Sequence, residues 1–217
     1  MPELVTSAFR ALASARGARA VHPRGRWFTG TMTTTFDPAL PLPAGRTEVV
    51  GRLSKGAGTP AGVPDVLGLA FRLPGPWDVL LSTSLARVLP RPARTWSSAR
   101  YGSITPFRWR GGLAWLAAVP DPGQTASASL DDLPGELGFT LEVGGPWRPV
   151  GRLVVRPLPA DGLLPADGLL PADDEQPPLD PVRNRPAGLE LAPALLARLR
   201  ERAYRGSRRG RPAEQDP

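Results

Sequence analysis

The stretch Arg26-Trp27-Phe28-Thr29-Gly30-Thr31-Met32-Thr33-Thr34-Thr35-Phe36 is rich in aromatic and β-branched residues. Such residues favour extended backbone, so the stretch predicts a β-strand. The turn-rich residues 38–45 follow it, and residues 47–54 then predict a second strand. We therefore expect two strands joined by a loop.

Short apolar segments separated by turn residues continue along the chain. Further strands are predicted at residues 66–72, 77–81, 101–108, 113–119, 138–143 and 150–155. The 28 Pro and 24 Gly disfavour long uninterrupted helices over most of the sequence. Many short strands with turns between them predict an antiparallel barrel or sandwich.

Two helices are predicted outside these strands. The first contains apolar residues at helical spacing and ends at Gly17; those residues are Leu4, Ala8, Phe9 and Leu12. The second runs from about Pro193 to Arg209 and has its own apolar face. The fold class we expect is α+β, mainly β: an antiparallel β-barrel with a short N-terminal and a C-terminal helix.

The length of 217 residues suits one domain, which we place at residues 1–211, followed by a polar, disordered tail at 212–217. Residues 157–173 repeat Leu-Pro-Ala-Asp-Gly-Leu twice and add Leu-Pro-Ala-Asp. A proline in each copy prevents these repeats from stacking into a core. Residues 157–178 are therefore predicted to form a flexible, Pro-rich surface insertion.

The formal charge of +7 would ordinarily suggest nucleic acid or an anionic surface as partner. Lys55 is the only lysine, however, and the rest of the positive charge is arginine in a chain rich in Ala, Pro and Gly. That pattern favours a compositional bias over a nucleic-acid interface.

The chain has no cysteine, which excludes disulfides, thiolate nucleophiles and Cys-ligated metal sites. It has no apolar run long enough to span a membrane, and its N-terminus lacks the apolar core of a secretory signal. We expect a cytoplasmic protein without a membrane span.

His22 is the only histidine, so any chemistry that requires an imidazole must use it. Alone, such a residue is more often a packed bystander than a catalyst. Its surroundings change that view, because Arg19-Ala20-Val21-His22-Pro23-Arg24-Gly25 resembles the distal histidine motif of haem catalases, R-x-V-H-x-K-G. Arg24 replaces the usual lysine.

Other catalase-like segments follow in the same order. Residues 50–54 resemble the R-F-S motif, and residues 64–72 followed by 77–83 are similar to D-P-R-G-F-A and N-W-D-L-V-G-N-N. Residues 101–107 resemble a segment of the allene oxide synthase branch of this superfamily. Near the C-terminus, residues 188–190 and 198–204 resemble P-G-I-E and R-L-x-x-Y, with a further arginine at Arg211.

The resemblance implies a haem cofactor and assigns residues to it. Tyr204 would be the proximal iron ligand, and Arg200, one helical turn earlier, would stabilise its phenolate. The propionates would pair with Arg19, Arg52 and Arg211. Val21 would pack on the macrocycle.

On the distal side the resemblance implies that His22 moves a proton between the peroxide oxygens. Arg52 and Ser54, two residues apart, would point to one face of a strand. Ser54 would then hydrogen-bond His22 and fix its tautomer. Where catalases have a distal asparagine, this chain has Thr83, or Ser82 if the register shifts by one.

The function implied is that of a small catalase-like peroxidase or an enzyme that processes organic or lipid hydroperoxides. Two alternatives stay open. One is a haem carrier or sensor without turnover, and the other is a basic barrel that binds anions or nucleic acid. The oligomeric state is left open.

Overall fold

The computed structural model describes residues 24–75, 77–159 and 179–192. They form eleven β-strands. The strands are β1 (Arg24–Thr34), β2 (Gly45–Lys55), β3 (Leu67–Leu73), β4 (Trp77–Leu85), β5 (Leu89–Pro90), β6 (Tyr101–Gly102), β7 (Phe107–Trp109), β8 (Gly112–Pro120), β9 (Leu137–Gly144), β10 (Arg148–Pro157) and β11 (Glu190–Leu191).

Eight of these strands close into an antiparallel barrel, which confirms the barrel predicted from the sequence. Neighbours follow the order β1-β2-β3-β4-β6-β8-β9-β10, and β10 pairs with β1 to close the ring. Each barrel strand thus pairs with the preceding and following barrel strands along the chain. This is an up-and-down arrangement, and it leaves no open edge among the eight strands.

The core lies inside the barrel and is filled by alternate residues of each strand. Phe28, Leu53, Leu69 and Leu141 are fully buried there and belong to one apolar cluster. Tyr101 meets Phe139 edge to face at a centroid distance of 5.6 Å. The residues between these inward positions face outward.

The α+β class predicted above is wrong for the described residues, which are all β and contain no helix. The barrel closes on itself and its strands fill its own interior, so no helical layer is needed to cover the sheet. The segments for which helices were predicted, 4–16 and 193–209, lie outside the described residues, as do residues 160–178 of the predicted insertion.

The single strand predicted at 101–108 is also wrong, because the chain breaks there into β6 and β7. Ile104 adopts a left-handed φ of 61°, and the Ser103 hydroxyl donates to the Thr105 carbonyl at 2.8 Å. Pro106 lacks an N–H for a ladder. The prediction of one continuous strand missed this local turn, in which side-chain and backbone hydrogen bonds replace the ladder.

Short strands extend the sheet outside the barrel. β7 and β8 are joined by Arg110 and Gly111, both at positive φ, as a two-residue type I′ hairpin turn requires. β11 pairs with β7 and attaches residues 179–192 to this side of the barrel. Within the described ranges, no helix is long and apolar enough to cross a membrane.

Candidate functional site

Residues of four catalase-like segments meet on the outside of the barrel. In antiparallel ladders, directly opposite residues point to the same face. Gly25 is paired with Ser54, Ser54 with Gly68, and Gly68 with Ser82. The neighbouring row pairs Trp27 with Arg52, Arg52 with Ala70, and Ala70 with Leu80. We call these outward residues the motif face: Trp27, Arg52, Ser54, Gly68, Ala70, Leu80 and Ser82.

Gly25, the last residue of the histidine motif, makes room for Arg52. A Cβ built on Gly25 would lie 2.4 Å from Arg52 Nε and 2.7 Å from the Leu53 carbonyl oxygen. Only glycine allows the guanidinium to lie across β1 at this point. The glycine of one motif and the arginine of the next are therefore one packing unit, which the sequence alone did not reveal.

The motif face is less exposed to solvent than the outer surface of a barrel usually is. Ser54 is 6% exposed although it points outward, and the Arg52 side chain is half-buried. Burial lowers the pKa of the Arg52 guanidinium, because leaving water disfavours the charged form. An anionic group at this position would interact with Arg52 more strongly than in bulk water.

Thr83 does not join this face. It pairs with Tyr101 and points into the barrel, where it is fully buried. Its hydroxyl accepts from the Leu67 N–H at 3.0 Å and donates to the Arg91 carbonyl at 2.6 Å. Ser82 is the alternative to Thr83 if the register shifts by one residue. It is Ser82 that lies on the motif face together with Ser54.

Strand spacing sets the distance between those two hydroxyl residues. Ser54 and Ser82 lie in one row with the small residue Gly68 between them. Because neighbouring strands are about 4.8 Å apart, their backbones are separated by roughly 10 Å. That gap leaves the centre of the face without a bulky side chain.

Asp78 anchors residues 179–192 at the border of the motif face. It is fully buried and accepts two hydrogen bonds from Arg72, at 2.6 and 2.8 Å. It also accepts from the Asn184 side chain and the Asp180 N–H, both at 2.7 Å. The hydrogen bond with Asp78 raises the pKa of Arg72. This network, not predicted from the sequence, holds the segment that leads to Tyr204.

In the described part of the C-terminal motif, the backbone conformation explains why residue 188 is a glycine. Gly188 adopts a φ of +81°, in the left-handed region that favours glycine. Leu189 is buried next to it, and Glu190 begins β11. The motif therefore turns the chain onto the edge of β7.

The other predicted site residues lie outside the described residues. They are Arg19, Val21, His22, Arg200, Tyr204 and Arg211. Of the predicted set, the structure thus brings Arg52 and Ser54 together and separates Thr83 from them. Among the described residues, no group of three or more His, Asp or Glu side chains forms a metal site.

Sequence reasoning preferred Thr83 and gave Ser82 as the alternative, although a signal that favours Ser82 was present. Trp77, Val79 and Leu81 alternate with less apolar residues, so they define the inward face of β4. Extending that alternation places Thr83 inward and Ser82 outward. The contacts of Asp78 with Asp180 and Asn184 gave no comparable signal, because these two partners are about a hundred residues away. Comparison of the chain with protein-family models and with curated proteins gives no match.

Proposed function

We propose that the protein binds haem against the motif face and reacts with peroxides as a peroxidase, with organic or lipid hydroperoxides among its substrates. The observation that carries the proposal is the register that sets Ser54 beside Gly25 and lays Arg52 across that glycine. Two segments that resemble motifs of haem catalases thereby lie on one half-buried surface.

The described residues fit one side of a porphyrin. A flat macrocycle needs a surface of small side chains, which Ala70, Gly68 and Ser82 supply. A propionate needs a cation in a partly dry position, which Arg52 supplies. In this proposal Arg19 and Arg211 hold the propionates with Arg52, Val21 packs on the ring, and Tyr204, supported by Arg200, is the iron ligand.

When bound, haem iron supplies the electrons that break the peroxide O–O bond. The chain's own part is proton transfer and orientation. His22 takes the proton from one peroxide oxygen and delivers it to the departing oxygen, so that water or an alcohol leaves. Ser54 orients His22. Ser82 offers a hydroxyl where catalases have an amide, and this difference favours peroxidase work over dismutation of hydrogen peroxide.

Haem binding is tested by titrating the purified protein with haemin and following the Soret band. Arg52→Leu should lower haem affinity, because a propionate loses its partner in a partly dry site. Arg46→Leu is the matched control, since it changes an exposed arginine on the same face of β2. Tyr204→Phe should remove or greatly weaken binding. Equal loss in both arginine variants would point to generic charge and overturn the site.

Turnover is tested by stopped-flow absorbance with hydrogen peroxide and with an alkyl hydroperoxide. His22→Ala should keep the haem but slow the reaction by about 10² to 10⁴, as expected for lost proton transfer. Ser54→Ala should give a smaller defect of the same kind. Equal rates in wild type and His22→Ala would reject the enzyme and support a haem carrier. Absence of a Soret band would reject haem binding and support a basic barrel that binds anions.

A further inference from the structure

The hairpin of β4 and β5 exposes three large aliphatic side chains within five residues. Leu85, Val88 and Leu89 are 56%, 47% and 43% exposed. Leu85 and Leu89 are directly opposite each other in the ladder, so they point to the same side. Arg91 and Arg94 follow at once and are exposed. We call Leu85, Val88, Leu89, Arg91 and Arg94 the hairpin patch.

Positive charge is concentrated in this part of the chain. Residues 79–120 contain six arginines and no acidic residue. The other 21 basic residues nearly balance the 20 acidic ones, so almost the whole net charge of +7 belongs to this stretch. Four of the six arginines lie between residues 87 and 100, beside the exposed aliphatic side chains.

Contacts of Arg87 with two tryptophan rings hold the β4–β5 hairpin in place. Ala86 and Arg87 both adopt left-handed φ angles, 48° and 73°, which disfavour residues other than glycine. The Arg87 guanidinium stacks between Trp115 and Trp147, at 5.2 and 5.3 Å from their ring centroids. This sandwich fixes the turn and leaves the aliphatic residues pointing into solvent.

Acidic residues near the hairpin patch have partners of their own. Asp65 pairs through its backbone with Ala93, is buried, and accepts from the Ala57 and Thr59 N–H groups at 2.7 and 3.0 Å. Glu142 lies 2.7 Å from Arg100. The charge that the hairpin patch presents to a partner therefore remains positive.

The chemistry of the hairpin patch selects its partner. Single-stranded nucleic acid would need free aromatic faces for stacking, but arginines already cover Trp115 and Trp147. Duplex phosphates would bind arginines alone and would leave Leu85, Val88 and Leu89 exposed to water. Aliphatic side chains at a hairpin tip, flanked by arginines, match the boundary between acyl chains and anionic headgroups. We propose that the hairpin patch docks the protein peripherally on anionic phospholipid bilayers, through insertion of Leu85, Val88 and Leu89.

The proposal is independent of haem binding and is tested with vesicle co-sedimentation. The full chain is mixed with phosphatidylcholine vesicles and with phosphatidylcholine vesicles that contain phosphatidylserine. We expect binding to the anionic vesicles only, and weaker binding at high salt. Sedimentation with neither vesicle type, or equally with both, would overturn the proposal.

Two variants separate insertion from charge. Arg91→Glu with Arg94→Glu should weaken binding at least about 25-fold, since each arginine near an anionic surface contributes about fivefold. Leu85→Ser, Val88→Ser and Leu89→Ser together should weaken it at least about tenfold without changing the net charge. Thermal unfolding of both variants checks that the barrel remains folded.

Matched controls change the same chemistry on strands away from the hairpin patch. Arg46→Glu with Arg156→Glu, on β2 and β10, carries the same charge change, and Phe36→Ser removes another exposed apolar side chain. Both controls should bind better than the corresponding hairpin variants. Equal losses would reject the hairpin as the docking point. A different result would assign the surface to polyanions. The wild-type protein would then bind single-stranded DNA but not vesicles, and DNA binding would be lost in the arginine variant and kept in the aliphatic variant.

Discussion

Lys55 Nζ donates a 2.8 Å hydrogen bond to the carbonyl oxygen of Ala128, which lies 73 residues further along the chain. The same ammonium donates to the Pro60 and Val63 carbonyls at 2.9 and 3.4 Å. Lys55 is 2% exposed and points into the barrel from the last position of β2. The only lysine thus ties two loops together at one end of the barrel.

Replacement of Lys55 should destabilise the fold. Lys55→Met leaves buried carbonyls without a donor, and we expect a loss of about 1–3 kcal/mol in the free energy of unfolding. Lys55→Arg should also destabilise, because a planar guanidinium is larger and cannot reproduce three contacts to one nitrogen. Urea unfolding measures both. Arg46→Met, at an exposed position, should change stability by less than about 0.5 kcal/mol. Wild-type stability in Lys55→Arg would contradict this account.

Loss of the Asp78 carboxylate should release residues 179–192. Asp78→Ala leaves the Arg72 charge and two further donors without their acceptor, which should cost about 3–5 kcal/mol. Limited proteolysis should then cut near Asn184 faster than in the wild-type protein. The control is Glu136→Ala, whose pair with Arg156 is exposed and should contribute at most about 1 kcal/mol. Unchanged cleavage in Asp78→Ala would show that β11 alone holds the segment.

Removing the hydroxyls of Ser82 and Thr83 in separate variants should distinguish an effect on peroxide turnover from an effect on stability. Thr83→Val removes a donor and an acceptor from the barrel interior, so it should lower the free energy of unfolding by about 1–3 kcal/mol. It should leave the peroxide rate per bound haem unchanged. Ser82→Ala should leave the free energy of unfolding unchanged and lower the peroxide rate of the proposed function. Ser82→Asn, which introduces an amide as in catalases, should raise hydrogen peroxide turnover. A turnover effect confined to Thr83 would contradict the observed register.

Tyr101 should make the fold sensitive to alkaline pH. Burial raises the pKa of its phenol in the native state, whereas an unfolded tyrosine ionises near pH 10. Below about pH 10 both states keep the proton, so its contribution to stability is fully present. Above that value only the unfolded state ionises, and stability should fall by about 1.4 kcal/mol per pH unit.

Absorbance at the tyrosinate band tests this directly. In Tyr204→Phe, Tyr101 is the only remaining tyrosine of the two in the chain. The tyrosinate signal should therefore appear only together with unfolding, as followed by circular dichroism. Ionisation of Tyr101 in the folded protein near pH 10 would show that its hydroxyl is not held against the Trp96 carbonyl.

Much of the barrel was predictable because its strands obey a two-residue alternation. The strands over Arg24–Thr34 and Leu137–Gly144 were predicted within a few residues. The break at Ile104 was not, since a left-handed isoleucine depends on local hydrogen bonds that composition does not reveal. β5 and β11 were missed because two-residue strands carry no periodic signal.

The candidate site was predicted less completely. The placement of Arg52 and Ser54 on one face follows from their spacing. The role of Gly25 could not be predicted, because it depends on the register between β1 and β2. The network of Asp78 joins distant parts of the chain, which no local pattern encodes.

Closure of the ring by its first and last strands sets the order of events during translation. Phe28 emerges from the ribosome well before its ladder partner Pro157. Until residue 157 has been made, β1 has no partner on one side and presents free N–H and C=O groups to other nascent chains. The completed barrel has no open edge among its eight strands, but the growing chain has one for most of its synthesis. The long wait of β1 for β10 therefore extends the time in which the nascent chain can pair with other chains.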